Sequence, residues 1–233
     1  MPDGIIYKGA VHPVISPLNG RHIPVFAWSD KHGPRVPEFR PGDGYNKVRR
    51  NPIDLCVWHW TGGENEPDVM AETLRQRKLG VEFAVGRTGT IWQFCDPAQV
   101  DTADSGFVNS RSVGVEVVCY GFAAQWGAAS RALKVPLVPK RGQDREVYDA
   151  KTHGKTLKTA KLYPVQMEAC LALADAISGA IGIKRQLPPS DDGVFDGIVR
   201  FEGHCGHLHL TDEKRDPGPW FLGQMREHFS KAA

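Results

Sequence analysis

Apolar positions along the chain follow two periods, and the switches between them mark out the elements. Ile53 to Trp58 is a continuous apolar run of strand length, the pattern of a buried central strand, and Thr61-Gly62-Gly63 breaks it just after His59. From Glu66 to Leu79 the period lengthens. Met70 and Leu74 lie four apart, Pro67 suits a first helical turn and Gly80 follows as a stop, which predicts a short amphipathic helix. Val81 to Phe94 returns to strand character on either side of Arg87-Thr88-Gly89, where the glycine supplies the positive φ of a tight turn. A hairpin is predicted, with Ile91 and Gln93 on one face and Trp92 and Phe94 on the other.

Ser112 to Cys119 is a further strand. Tyr163 to Ile183 is the strongest helix, with Pro164 at its start and Met167, Cys170, Leu171, Ala174, Ile177 and Ile181 at three- and four-residue steps. Gly197 to Phe201 reads as a last short strand that delivers a histidine-rich stretch. Strands alternating with helices predict an α/β architecture, a central mixed β-sheet flanked by helices. Two segments stand outside this pattern. Residues 1–50, rich in Pro and Gly, read as an extended arm packed on a main domain of residues 51–233, and about 120–162 reads as an irregular insertion, helical in part from Ala123 to Leu133.

At 233 residues the chain is long enough to bury a real core in one large domain with extensions. A net charge of +2 from 29 basic and 27 acidic residues gives no case for a nucleic-acid partner, so Lys47-Val48-Arg49-Arg50 and Lys140-Arg141 are read as solvated faces. The five cysteines are an odd count scattered through apolar runs, which fits buried free thiols in a reducing compartment rather than a disulfide framework. No basic-then-apolar leader opens the chain, and no run approaches the roughly 18 apolar residues of a membrane span. The expectation is a monomer synthesised in the cytoplasm without a signal peptide.

The chemistry concentrates in Gly203 to Trp220, GHCGHLHLTDEKRDPGPW. His207 and Asp216 are nine apart and reach one metal if the chain turns back between them, and His59, at the end of the first strand, is the best third ligand. Zinc favours such nitrogen and carboxylate donors, and with three protein ligands it keeps a position for water, whose pKa it lowers towards about 7. His204 begins an identical Gly-His step, and His209 shares a strand face with His207, so both remain alternative ligands. Glu116 sits between Val115 and Val117, where an ionised carboxylate costs several kcal/mol unless something answers it, and a general base beside the metal would explain it. Lys214, two residues before Asp216, is placed to stabilise an oxyanion. Zinc, base and oxyanion stabiliser together describe hydrolysis of an amide.

Four segments in this order resemble type-2 N-acetylmuramoyl-L-alanine amidases, whose fold is shared with peptidoglycan recognition proteins and amidase-type phage lysozymes. They are VWHWTGG, VGRTGTIWQF, NSRSVGVEVV and GHLHLTDEKRDPGPW, and they span roughly Ile53 to Trp220. The resemblance implies zinc on His59, His207 and Asp216, catalysis by Glu116 and Lys214, and substrate contacts at Trp60, Thr61, Glu82 and Asn109. It implies peptidoglycan or muropeptides as substrate, cut between N-acetylmuramic acid and L-alanine. The chain departs from the pattern at Asp104, near which many members carry a histidine, and at Val81-Glu82, where others have Tyr-His or Ser-His. A non-catalytic peptidoglycan-binding module and a structural zinc protein are the rival classes, the second disfavoured because no CxxC pair occurs. As to setting, a phage endolysin released to the wall through a holin is expected ahead of a cytoplasmic muropeptide-recycling amidase or an injected effector.

Overall fold

The computed structural model describes residues 4–31, 33–34, 39, 41, 45–122 and 145–231. The chain opens with a hairpin of β1 (Gly4–Tyr7) and β2 (Ala10–Pro13), followed by β3 (Val25–Ala27) and the short β4 (Lys47–Val48). Then come β5 (Leu55–Trp60), helix α1 (Pro67–Gln76), β6 (Phe83–Val85), β7 (Ile91–Gln93), β8 (Val100–Asp101) and β9 (Ser112–Val117). A second hairpin, β10 (Val147–Thr152) and β11 (Lys155–Ala160), precedes helix α2 (Pro164–Ile181), β12 (Gly203–Gly206) and helix α3 (Pro219–Lys231). The main sheet has the order β12-β5-β9-β6-β7-β3, all neighbours parallel except β6 with β7. It is the expected mixed sheet flanked by helices. Among the described residues no helix is long and apolar enough to cross a membrane.

Side-chain alternation divides the sheet into two working faces. Cys56 and Trp58 of β5, Val113, Val115 and Val117 of β9, and Phe83 and Val85 of β6 join one buried cluster with α2 and α3. Helix α2 reaches this cluster with Met167, Cys170, Leu173, Ala174 and Ile177, and α3 with Phe221, Leu222, Met225 and Phe229. Leu55 and Val57 point the other way, onto Val108, Ile198, Cys205 and Leu210. Next along that second face, Val81, Ala84 and Phe94 meet Met70, Ala71 and Leu74 of α1. His59 and Glu116 have the parity of the second face, so the two strands aim both polar side chains away from the α2 core.

Several expectations are corrected. Residues Asp196–Arg200 form a 3-10 turn, and the strand that follows is Gly203–Gly206. His207–His209 form another such turn, so His207 and His209 do not share a strand face. The end of the stretch read as irregular is the regular β10–β11 hairpin, whose tip is closed by His153 and Gly154 in left-handed conformations. Its alternation is weak because both faces are largely solvated. The early segment contributes β3 to the edge of the main sheet. Arg49 is no solvated cation, since its side chain is 3% exposed and ion-paired to Glu82. The readings for Ala123 to Leu133 and Lys140-Arg141 lie outside the described residues.

Candidate metal centre

Three adjacent parallel strands end at one level. Gly206 pairs with Trp58 across β12 and β5, and His59 pairs with Glu116 across β5 and β9. His207, one residue past the end of β12, therefore comes out beside His59, with Glu116 on the other side. Ligands in open α/β sheets gather at such carboxyl ends of strands. The loop after the His207 turn then doubles back, and the Leu208 amide donates to the Asp216 carbonyl at 3.0 Å, which returns the Asp216 side chain to the same point.

His59 Nδ1 lies 2.9 Å from His207 Nδ1, and Asp216 Oδ2 lies 3.4 Å from each nitrogen. Ligands on tetrahedral zinc, with bonds of about 2.0–2.1 Å, stand about 3.3 Å apart. Two imidazole nitrogens and a carboxylate oxygen converging at these separations have the donor chemistry and spacing of a zinc site. The electrostatics agree. Burial alone would lower the pKa of His59, but the Asp104 and Asp216 carboxylates overcome it and push the ring up to about 10. Burial opposes ionisation of Asp216, yet bonds from His207 and His59 hold its carboxyl well below the usual range. Burial depresses His207, offset in part by Asp216. The cluster thus favours positive charge at its centre, and a buried oxygen on the neighbouring Glu116, Oε2, has no hydrogen-bond partner among the described residues.

Glu116 is 9% exposed, and burial pushes its carboxyl up to about 7, with His59 opposing the rise. A base of that strength is suited to take and return a proton near neutral pH. Glu116, His59, His207, Asp216 and Lys214 all line one cleft of about 170 Å³ together with Trp60 and Thr61. Lys214 is exposed on the returning loop, whose carbonyl at that residue accepts a bond from His153 Nε2 at 2.7 Å. The β10–β11 hairpin thereby holds the loop, a role with no signature in the sequence. Trp60 packs its ring edge-on to Phe122, and the Thr61 hydroxyl closes a turn by donating to the Gly63 carbonyl at 2.9 Å.

The remaining candidates sit elsewhere. His204 is fully buried, with Nδ1 accepting from Trp58 Nε1 at 3.2 Å and Nε2 2.9 Å from Ser178 Oγ. His209 Nδ1 accepts from the Gly206 amide, and its Nε2 donates to the Ser190 carbonyl. Both rings have both nitrogens occupied, which leaves them no lone pair for a metal. Glu82 is 0% exposed and is taken up by Arg49, Thr102 and the Gly114 amide, so the expected substrate contact gives way to a structural one. Asn109 caps the turn Gly106–Arg111 by accepting from the Ser105 amide at 2.6 Å, and does not line the cleft. Sequence reasoning missed the pair behind His59, Ser105 Oγ at 3.3 Å and Asp104 Oδ2 at 3.6 Å from Nε2. The only signal was that Asp104 departs from the family pattern.

Comparison with known proteins identifies a family and a fold. The family model described as N-acetylmuramoyl-L-alanine amidase matches residues 49–219. No curated protein matches the chain. Among solved structures, the Ph2119 endolysin from the Thermus scotoductus MAT2119 bacteriophage Ph2119 is similar at 15% identity with a TM-score of 0.50, over 88% of this chain and 98% of that one. The N-acetylmuramoyl-L-alanine amidase LysC from Clostridium intestinale URNW is similar at 16% identity with a TM-score of 0.49, over 89% and 96%. At 15% identity the likeness to the Ph2119 endolysin is one of fold alone.

Proposed function

The chain belongs to the N-acetylmuramoyl-L-alanine amidase family, and from that premise we propose that it is a zinc-dependent hydrolase of peptidoglycan. The bond cut is the amide between the lactyl group of N-acetylmuramic acid and L-alanine. The observation that carries the reading is the convergence of His59 Nδ1, His207 Nδ1 and Asp216 Oδ2 beside a buried carboxylate with an oxygen that has no partner among the described residues. These three residues would hold the ion, which when bound supplies Lewis-acid activation of water and of the scissile carbonyl. The Glu116 carboxylate takes the proton of the attacking water and passes it to the leaving amine, a task its raised pKa favours. Lys214 Nζ, on the rim of the same cleft, donates to the carbonyl oxygen as it becomes negative. Trp60 walls the cleft beside Thr61 and keeps water from that side of the substrate.

As the setting we propose a lytic enzyme of the endolysin kind that reaches the wall after release from the cytoplasm, its domain running over residues 51–233 with residues 1–50 as an arm packed on it that lends β3 to its sheet. The test is to incubate purified protein with intact sacculi, with and without a chelator, and to identify products by mass spectrometry. Chelator-sensitive release of stem peptides with a free N-terminal alanine is expected. Zinc-loaded protein that leaves every glycan–peptide linkage intact would sink the amidase reading and favour a binding module. A matched run on soluble muropeptides separates lysis from recycling, since a lytic enzyme prefers the sacculus.

A further inference from the structure

Behind His59, on the side away from His207, a carboxylate stands that the reaction does not use. The Asp104 side chain is 4% exposed, and its Oδ2 has no hydrogen-bond partner among the described residues. It lies 3.6 Å from His59 Nε2, on the ring edge opposite the nitrogen that faces His207 and Asp216. The space it fills is made by a missing side chain. A Cβ on Gly114 of β9 would stand 1.5 Å from Asp104 Oδ2, so no other residue at 114 admits the carboxylate there. The Gly114 amide does not answer it either, being turned to Glu82 Oε2 at 2.7 Å.

Asp104 also borders the cleft, but a carboxylate oxygen buried without a donor is costly, and it persists in a fold where some other group draws on it. The N–H within reach is His59 Nε2. A neutral imidazole carries one proton, and a partner at one nitrogen decides which nitrogen keeps its lone pair for a metal. We propose that Asp104, seated over Gly114, is a positioning residue that draws the His59 proton to Nε2 and so reserves Nδ1 for the metal. This rests on the zinc reading above. Ser105 Oγ is closer at 3.3 Å, but it is neutral and its own proton is free to turn towards the ring, so it orients the imidazole without fixing the tautomer. At 3.6 Å the Asp104 contact is longer than a formed hydrogen bond, and charge rather than bond geometry is what distinguishes it from Ser105.

The test uses the full chain and zinc alone as ligand. Zinc affinity is measured by competition with a chromogenic chelator for wild type, Asp104→Ala, Asp104→Asn and Ser105→Ala. The protonated nitrogen of His59 is read from long-range proton–nitrogen spectra of the zinc-loaded proteins. Asp104→Ala is expected to weaken zinc about 10- to 100-fold, the range for loss of an outer partner of a metal-bound histidine. Asp104→Asn keeps the shape, guards against a folding artefact, and should fall between, with Ser105→Ala within about threefold of wild type. The Nε2–H signal should be present in wild type and altered in Asp104→Ala. Wild type that binds zinc tightly, with both Asp104 variants within threefold and the His59 signal unchanged, overturns the positioning role alone. Wild type that takes up no zinc defeats the metal reading and this inference with it.

Discussion

His204 is a decisive test of how the closing stretch divides its histidines, because the structure makes it a neutral core residue with a calculable pH signature. Its ring is fully buried between Trp58 and Phe229, and Trp58 Nε1 and Ser178 Oγ use its two nitrogens. Burial depresses its pKa from 6.5 to about 3, with Asp175 opposing weakly. The unfolded chain therefore binds a proton that the folded one refuses, so stability is complete above pH 6.5 and falls as the pH drops towards 3. With these values, the loss from this one group between pH 7 and pH 5 is about 2 kcal/mol. That figure barely moves if the folded pKa is anywhere below 4, because at pH 5 the folded ring is neutral in either case. The perturbation is His204→Gln, whose amide offers an acceptor and donors without titrating. Urea unfolding at pH 7 and pH 5 gives the stability of both proteins. Wild type should lose about 2 kcal/mol more than the variant on acidification, while zinc content at pH 7 is equal in the two. Equal acid sensitivity within about 0.5 kcal/mol, or a variant that loses its zinc, would refute the assignment of His204 to the core.

Two further outcomes follow from the same geometry. Glu82→Ala leaves the buried Arg49 guanidinium unpaired and strips a partner from the Gly114 amide and Thr102 hydroxyl, so urea unfolding should show a loss of about 3–5 kcal/mol. If Glu82 instead touched substrate, stability would hold and turnover would fall. Glu116→Gln should leave zinc content and the unfolding midpoint close to wild type while lowering kcat on peptidoglycan about 10²- to 10⁴-fold, and activity within tenfold of wild type would remove Glu116 from the proton path.

What could be read from the chain beforehand was governed by how local the physics is. The strands Leu55–Trp60 and Ser112–Val117, the β6–β7 hairpin and helix α2 all carry their period within a dozen residues, and each lies where the pattern puts it. The same alternation already held the reason Glu116 looks out of place. Its flanking valines face α2, while Glu116 faces the cleft, so the acid interrupts an apolar run without entering the apolar core. Parity says which way a side chain points, but not which strand lies alongside. The pattern places the last strand a few residues before Gly203–Gly206 because Ile198 and Val199 are as apolar as a strand requires, whereas it is pairing with β5 that selects the glycine-flanked segment. The choice among His204, His207 and His209 was open for the same reason, since it depends on where β12 ends against Trp58. Asp104 and Gly114 are ten residues apart and individually unremarkable in pattern. Their meaning exists only where a missing Cβ and a buried carboxylate meet behind His59, so it is a property of the packed sheet and not of either segment.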